Sequence, residues 1–274
     1  MPEGDTLFKT AARLQPALQG HALTRFEAPR LVGRAPALGE RIDLVEARGK
    51  HLLVHFSGGL VLRTHLRMTG SWHVYREGER WRKAPHLARA VVGADSGWVA
   101  VCFQAPVVET YHRAGAEPDA LATLGPDLCL PGSLDDAVLD EIVARVPRFA
   151  PATITLGEAL LDQRIAAGIG NVYKSEACFA VGLDPTTPIE GVTDDERRRV
   201  WATASRQLQA NLDGGERRTH PAGLAVYGRR GQPCHRCGTP ILMARHGELA
   251  RSTYWCPTCQ PPRPTPREVL HKGR

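Results

Sequence analysis

The spacing of apolar residues changes three times along the chain. Leu7, Ala11, Leu14 and Leu18 recur at three- and four-residue steps, which predicts an amphipathic helix over residues 6–19. Asp5 is the expected N-cap and Gly20 the expected stop, with Pro16 bending the last turn. From residue 22 to about 110 the pattern breaks into short runs at 41–47, 51–56, 60–65, 71–75, 87–92 and 98–103. They are rich in Val, Leu and aromatics, and Gly-containing turns separate them, which predicts a β-sandwich or barrel. Leu124-Gly125-Pro126-Asp127 and Leu130-Pro131-Gly132 read as a linker. Helical periodicity returns at 134–146. Thr155-x-x-Glu158 and Thr193-x-x-Glu196 are capping boxes, opening helices to about 165 and about 212. Between them, residues 166–170 form a turn, and Asn171 caps a helix through 180. A last ordered unit spans 227–260, followed by a Pro-rich tail expected to be disordered. The fold class is α+β in two domains.

Composition narrows the function. The chain has 274 residues, 42% hydrophobic and 23% charged, as in ordinary soluble globular proteins. No apolar run approaches the ~20 residues of a membrane span. No basic segment leads into an apolar one at the start, so a secretory signal is not expected and the cytoplasm is. Residues 204–274 hold 12 Lys+Arg against 4 Asp+Glu, a surplus of +8 within a net charge of +6. A basic C-terminal third points to a polyanion, with nucleic acid first. Of the seven cysteines, Cys102, Cys129 and Cys178 stand singly in apolar surroundings and read as buried, inert thiols.

The other four have metal-ligand spacing. Cys234-x-x-Cys237 and Cys256-x-x-Cys259, 18 residues apart, set two thiolate pairs in tight turns that close one tetrahedral Zn²⁺ site. Four thiolates leave no open position, so the metal is structural. The intervening hairpin presents Arg251 as a stiff phosphate clamp. Gly168-Ile169-Gly170-Asn171 at a helix entrance is a second anion site, or an ordinary glycine turn. Lys50, at a tight junction between strands, could contact phosphate or donate a proton, although an exposed turn lysine is the commoner case. Met68, at the tip of 66–70, could wedge between bases or fold back into the core. The loop 76–83, with Arg76, Arg80, Arg82 and Lys83, reads as a solvated loop that could also touch phosphate. At the start, removal of Met1 would expose the Pro2 secondary amine beside Glu3. An α-amino group titrates near pH 8, against about 10.4 for lysine, so far more of it is the neutral, nucleophilic form at pH 7.

These residues occur in one order. Met-Pro-Glu-Gly-Asp, Arg48 to Leu53, His65 to Gly70, Leu161 to Gln163 with Gly168 to Tyr173, and Val226 to Gly231 leading into the four cysteines together resemble the formamidopyrimidine-DNA glycosylase and endonuclease VIII family. The resemblance extends to about residue 260. It implies an N-terminal β-sandwich with a flanking helix over 1–124, a linker over 125–132 and a helix–two-turn–helix domain over 133–225. A β-hairpin zinc finger over 226–260 and a disordered tail over 261–274 complete the expected layout. The activity implied is that of a bifunctional DNA glycosylase and abasic-site lyase of base excision repair. The partner implied is double-stranded DNA with a damaged base or abasic site, and the enzyme would be a monomer, nucleoid-associated. Pro2 would be the Schiff-base nucleophile, Glu3 the general acid/base and Lys50 a phosphate contact and proton donor. Asn171 and Arg251 would grip phosphates, with Arg251 also serving δ-elimination. Arg67, Met68 and Thr69 would fill the gap left by the everted nucleotide.

Within the family, Met-Pro-Glu-Gly fits the endonuclease VIII branch. The guanine-specific branch carries an Arg and a Phe where this chain reads Phe103-Gln104-Ala105-Pro106-Val107. Residues 211–225 are also short for a loop closing over a purine. Oxidised pyrimidines are therefore the expected substrates, although Met68 matches the guanine branch. The alternatives are a lyase acting mainly on abasic sites, and a non-catalytic damaged-DNA-binding protein.

Overall fold

The computed structural model describes residues 2–130, 132 and 134–263. It divides into two compact units, meeting between Thr123 and Leu124.

The first unit opens with α1 (Gly4–Leu18). The apolar stripe Leu7, Ala11, Leu14 and Leu18 is buried. The helix starts two residues earlier than its apolar period predicts. Its N-cap is Glu3, not Asp5, and the Glu3 amide donates to Thr6 Oγ1 at 3.5 Å. It runs through Pro16 and is capped at Gln19. Strands β1 (Leu23–Glu27), β2 (Ile42–Arg48), β3 (His51–Phe56), β4 (Leu60–His65), β5 (Ser71–Arg76), β6 (Ala88–Ala94), β7 (Trp98–Phe103) and β8 (Val107–His112) follow. They form two four-stranded sheets, ordered β1-β6-β7-β5 and β2-β3-β4-β8. Neighbours in both sheets are antiparallel.

One core joins the sheets and α1. It holds Leu7, Leu14, Ile42, Val54, Phe56, Leu62, Val92, Ala100 and Cys102. Two glutamines fasten the helix to β2. Gln15 Nε2 donates to the Val45 carbonyl at 2.8 Å, and the Val45 amide donates to Gln19 Oε1 at 3.2 Å. These bonds fix the axial position of α1, and with it residues 2 and 3. A short helix, α2 (Asp119–Ala122), ends the unit.

The second unit contains α3 (Asp136–Phe149), α4 (Leu156–Leu161), α5 (Asn171–Val181) and α6 (Asp194–Gln209). A hairpin of β9 (Leu242–His246) and β10 (Arg251–Trp255) follows. Both expected capping boxes are present, at Thr155 with Glu158 and at Thr193 with Glu196. Two helices are shorter than expected. Past α4, Asp162 Oδ1 accepts the Arg164 amide at 2.9 Å, a local bond that competes with helix continuation. Past α6, Asn211 Nδ2 donates to the Gln207 and Arg218 carbonyls, both at 2.8 Å. Asn171 is the first residue of α5, and the N-cap is Gly170. Cys102, Cys129 and Cys178 are buried, and burial raises the Cys102 and Cys178 thiols above their ordinary range. Of the expected disordered tail, Arg263 pairs with Glu196 at 2.6 Å, and residues 264–274 lie outside those described.

Helix α5 organises this unit. Every residue from Asn171 to Phe179 is buried, including Lys174, Ser175 and Glu176. Buried polar groups must find partners, and these reach out to separate segments. Glu176 accepts the amides of Ala225, Val226 and Tyr227 at 2.8, 2.9 and 2.7 Å. It also accepts the Thr219 hydroxyl. Glu176→Gln turns an NH₂ toward those amides and removes the charge. The variant is expected to lose about 2–4 kcal/mol of stability, read by chemical denaturation, with faster amide exchange at residues 225–227.

Candidate active site

In the first unit, the candidate residues sit at the ends of rigid elements. Pro2 is half-buried and directly precedes α1, while Glu3 is 0% exposed. A carboxylate there is shielded from water, which strengthens its interactions with any reacting charge. Lys50 lies in the two-residue turn joining β2 and β3, where Arg48 pairs with His51. Gly49 takes φ +58, the left-handed conformation this tight hairpin requires. The turn is thereby short and stiff, and it fixes where Lys50 leaves the sheet. Helix α1 packs against both β2 and β3.

Beneath the turn lies a cluster that residue-type reasoning missed. His51 and His65 face each other across β3 and β4, with ring centroids 4.8 Å apart. Arg63 Nε donates to His51 Nδ1 at 3.1 Å, and Arg63 also pairs with Glu109. Burial first, then the surrounding cations, lower His51 to about 3 and His65 to about 4. Both rings are neutral at pH 7. The signal was present in the chain: a hairpin centred on Gly58 sets 51 opposite 65.

Arg67, Met68 and Thr69 form a projecting tip. Met68 is 62% exposed, so the structure does not fold it back into the core. Arg67 adopts φ +46. The Thr69 hydroxyl donates to the Gln104 carbonyl at 3.4 Å. Gln104 itself takes φ +54, and Lys83 Nζ donates to its Oε1 at 3.3 Å. In the loop 76–83, Arg76 stacks over Trp98 at 3.7 Å. Arg76 and Lys83 are thus engaged by the protein, whereas Arg80 and Arg82 are exposed.

In the second unit, the four cysteine sulfurs lie within 4.8 Å of one another. Cys234–Cys259 is 3.8 Å, and Cys237 lies 3.5 Å from both Cys256 and Cys259. Zinc–sulfur bonds of about 2.3 Å place tetrahedral sulfurs just under 4 Å apart, so the donor set fits one structural zinc. The finger is docked on the end of α5 and on the turn that follows it. Arg236 donates to the Phe179 and Ala180 carbonyls at 2.9 and 3.1 Å, and Gln260 Nε2 donates to the Leu183 carbonyl at 2.7 Å.

Arg251 opens β10 opposite His246. The residue before it, Ala250, has φ +47. Among the described residues, the non-glycine left-handed positions are Arg67, Gln104 and Ala250. Such conformations cost about 1–3 kcal/mol and concentrate at functional positions. Here they flank or belong to the segments carrying Thr69 and Arg251. At the start of α5, Asn171 is 5% exposed. Gln163 braces the preceding turn: its Nε2 donates to the Ile169 carbonyl at 3.1 Å, and its Oε1 accepts the Gly168 amide at 3.0 Å.

Comparison with known proteins decides the family. Residues 1–103 match the formamidopyrimidine-DNA glycosylase N-terminal domain. Residues 134–221 match the formamidopyrimidine-DNA glycosylase H2TH domain, and 231–262 match the zinc finger found in FPG and IleRS. The chain belongs to the formamidopyrimidine-DNA glycosylase and endonuclease VIII family. It is a DNA glycosylase and abasic-site lyase of base excision repair. It is 44% identical over 285 residues to the probable endonuclease 8 2 of Streptomyces coelicolor, covering all of both chains. It is 40% identical to the DNA-(apurinic or apyrimidinic site) lyase Nei2 of Mycolicibacterium smegmatis, covering 95% of this chain and 99% of that one. The crystal structure of MutM (Fpg) from Thermus thermophilus is similar at 30% identity and a TM-score of 0.77, covering 96% of this chain and 100% of that chain. The endonuclease VIII branch assignment agrees with the names of the more identical relatives, and the expected α+β architecture with zinc finger is observed.

The neutral histidine pair has a consequence for stability. Both folded values lie below the ordinary 6.5 of an exposed ring. Below pH 6.5 the unfolded chain therefore binds protons that the folded chain does not. The stabilisation is complete above pH 6.5 and is lost as pH falls toward 4 and then 3. The melting temperature of the wild type is expected to fall over this window, and that of His65→Gln to fall less, as measured by melts at fixed ionic strength.

Proposed function

We propose that this enzyme excises oxidised pyrimidines from double-stranded DNA, using the Pro2 amine freed by removal of Met1. The amine nitrogen bonds to the sugar C1′ as the bond from C1′ to the base breaks. The base leaves with a proton, and the ring opens to an iminium. Glu3 handles the proton traffic between the amine, the sugar oxygen and the departing base. The iminium acidifies C2′–H. Loss of that proton breaks C3′–O, and loss of the C4′ proton then breaks C5′–O. Lys50 donates a proton in the first elimination. Asn171 and Arg251 hold flanking phosphates, and Arg251 also assists the second elimination. Arg67, Met68 and Thr69 occupy the space of the flipped nucleotide, whose extrusion costs a few kcal/mol.

The observation that carries this reading is Glu3, a carboxylate 0% exposed at the N-cap of α1, adjacent in sequence to Pro2. Its side chain closes a capping box with Thr6, so the fold holds this acid, shielded from water, one residue from the proposed amine. The pyrimidine preference rests on the absence of an Arg–Phe pair at 103–107 and on the short segment after α6. The solved structure of Lactococcus lactis Fpg bound to abasic-site DNA shares this fold at a TM-score of 0.79. We also take the enzyme to act as a monomer in the cytoplasm, associated with the nucleoid. Among the described residues no helix is long and apolar enough to cross a membrane.

A second reading has one specific support, the lyase name of the Mycolicibacterium relative. In it, the enzyme acts mainly on abasic sites and removes bases poorly. Duplexes carrying thymine glycol, dihydrouracil, 8-oxoguanine opposite C, or an abasic site separate the two. Cutting of the pyrimidine lesions, with products ending in phosphate on both sides of a one-nucleotide gap, is expected. Glu3→Gln should slow base excision by about a hundredfold or more. Cutting of the abasic duplex alone establishes the second reading. Unchanged excision by Pro2→Gly removes Pro2 from the mechanism.

A further inference from the structure

A lysine within the helical unit is buried almost completely and takes no part in the chemistry above. Lys174 is 1% exposed. Its ammonium donates to the Ser252 carbonyl at 3.1 Å and to the Thr253 hydroxyl at 2.7 Å. A buried ammonium is expensive unless held by good partners, so its retention invites a reason.

The bonds are arranged along the helix. Lys174 reaches Ser252 and Thr253, and the next residue, Ser175, accepts the Tyr254 amide at 3.2 Å. Further along, Phe179 shares a cluster with Cys256. Residue numbers on α5 and β10 therefore rise together. The start of β10, Arg251, lies toward the start of α5, Asn171. Alternation along a strand puts Arg251 and Thr253 on one face. Helical spacing puts Asn171 and Lys174 one turn apart on one face. Lys174 thus joins the two faces one step in from Asn171 and Arg251. The finger turn is seated nearby as well: a Cβ added at Gly247 would lie 2.6 Å from the Glu158 carboxylate.

We propose that Lys174 is a positioning residue that sets Arg251 at a fixed distance from Asn171, so that the two grip phosphates of one strand in register. It does so by tying β10 to α5, without touching DNA. This rests on the reading of Arg251 as a phosphate grip, and a double-mutant cycle tests the two separately. DNA affinity and the ratio of δ- to β-elimination product are measured for the zinc-loaded full chain. The variants are Lys174→Met, Thr253→Val and Arg251→Ala, together with the doubles that combine Arg251→Ala with each of the other two. Thr253→Val is nearly isosteric and keeps the experiment informative if Lys174→Met folds poorly.

Arg251→Ala alone should weaken binding about tenfold and lower the δ product. Lys174→Met should do nearly the same, and Thr253→Val should act in the same direction with a smaller effect. In the Arg251→Ala background both should cost little more. Equal losses in both backgrounds would mean that Lys174 only stabilises the fold, and would overturn the proposal. No effect of Arg251→Ala would refute the phosphate-grip reading itself, and the proposal with it. Unchanged affinity and product ratio in Lys174→Met, with Arg251→Ala impaired, would overturn the positioning role alone.

Discussion

A helix buried on every side cannot leave its polar side chains idle. In α5 this constraint falls on Lys174, Ser175 and Glu176, which lie among apolar residues through Phe179. They satisfy themselves on two remote segments: Lys174 and Ser175 on β10, and Glu176 on the amides of residues 225–227. The finger has little core of its own, so its place is set by these bonds and by Arg236 and Gln260. A metal closed by four thiolates gives such a finger rigidity. The bonds to α5 give it position. Arg251 needs both if it is to meet a phosphate without reorganising.

The first unit solves the matching problem for the proposed nucleophile. An amine at a chain end is ordinarily mobile. Here it is followed at once by a buried helix start, whose far end is clamped to β2 by Gln15 and Gln19. Lys50 is delivered by a two-residue turn that Gly49 makes possible, over a floor of neutral histidines. Burial keeps that floor uncharged. The loop carrying Met68 differs in kind, because it projects, exposed, from a left-handed residue.

Much of this was legible in the chain because local rules and tertiary context agree there. Runs 51–56, 60–65 and 98–103 coincide with β3, β4 and β7, where apolar runs are bounded by glycine turns. Both Thr–Glu capping boxes open the helices they announce. The four cysteines carry their spacing in plain view. The departures arise where a side chain competes with the backbone or where a partner is remote. Glu3 is an unusual N-cap, so a helix rule prefers Asp5. Asp162 and Asn211 divert backbone groups that would have extended α4 and α6. Strand β1 has a register shift between Leu23 and Arg25 that spoils its alternation. Lys174 looks like a surface residue until its partners, 78 and 79 residues away, are seen.

All the proposed chemistry passes through one nitrogen. The direct test is to reduce the covalent protein–DNA intermediate with borohydride on a duplex carrying dihydrouracil, digest the adduct, and map the modified residue by mass spectrometry. The account predicts that the sugar remnant sits on the α-nitrogen of Pro2, in a peptide lacking Met1. A remnant on Lys50 or on any other lysine side chain would contradict it.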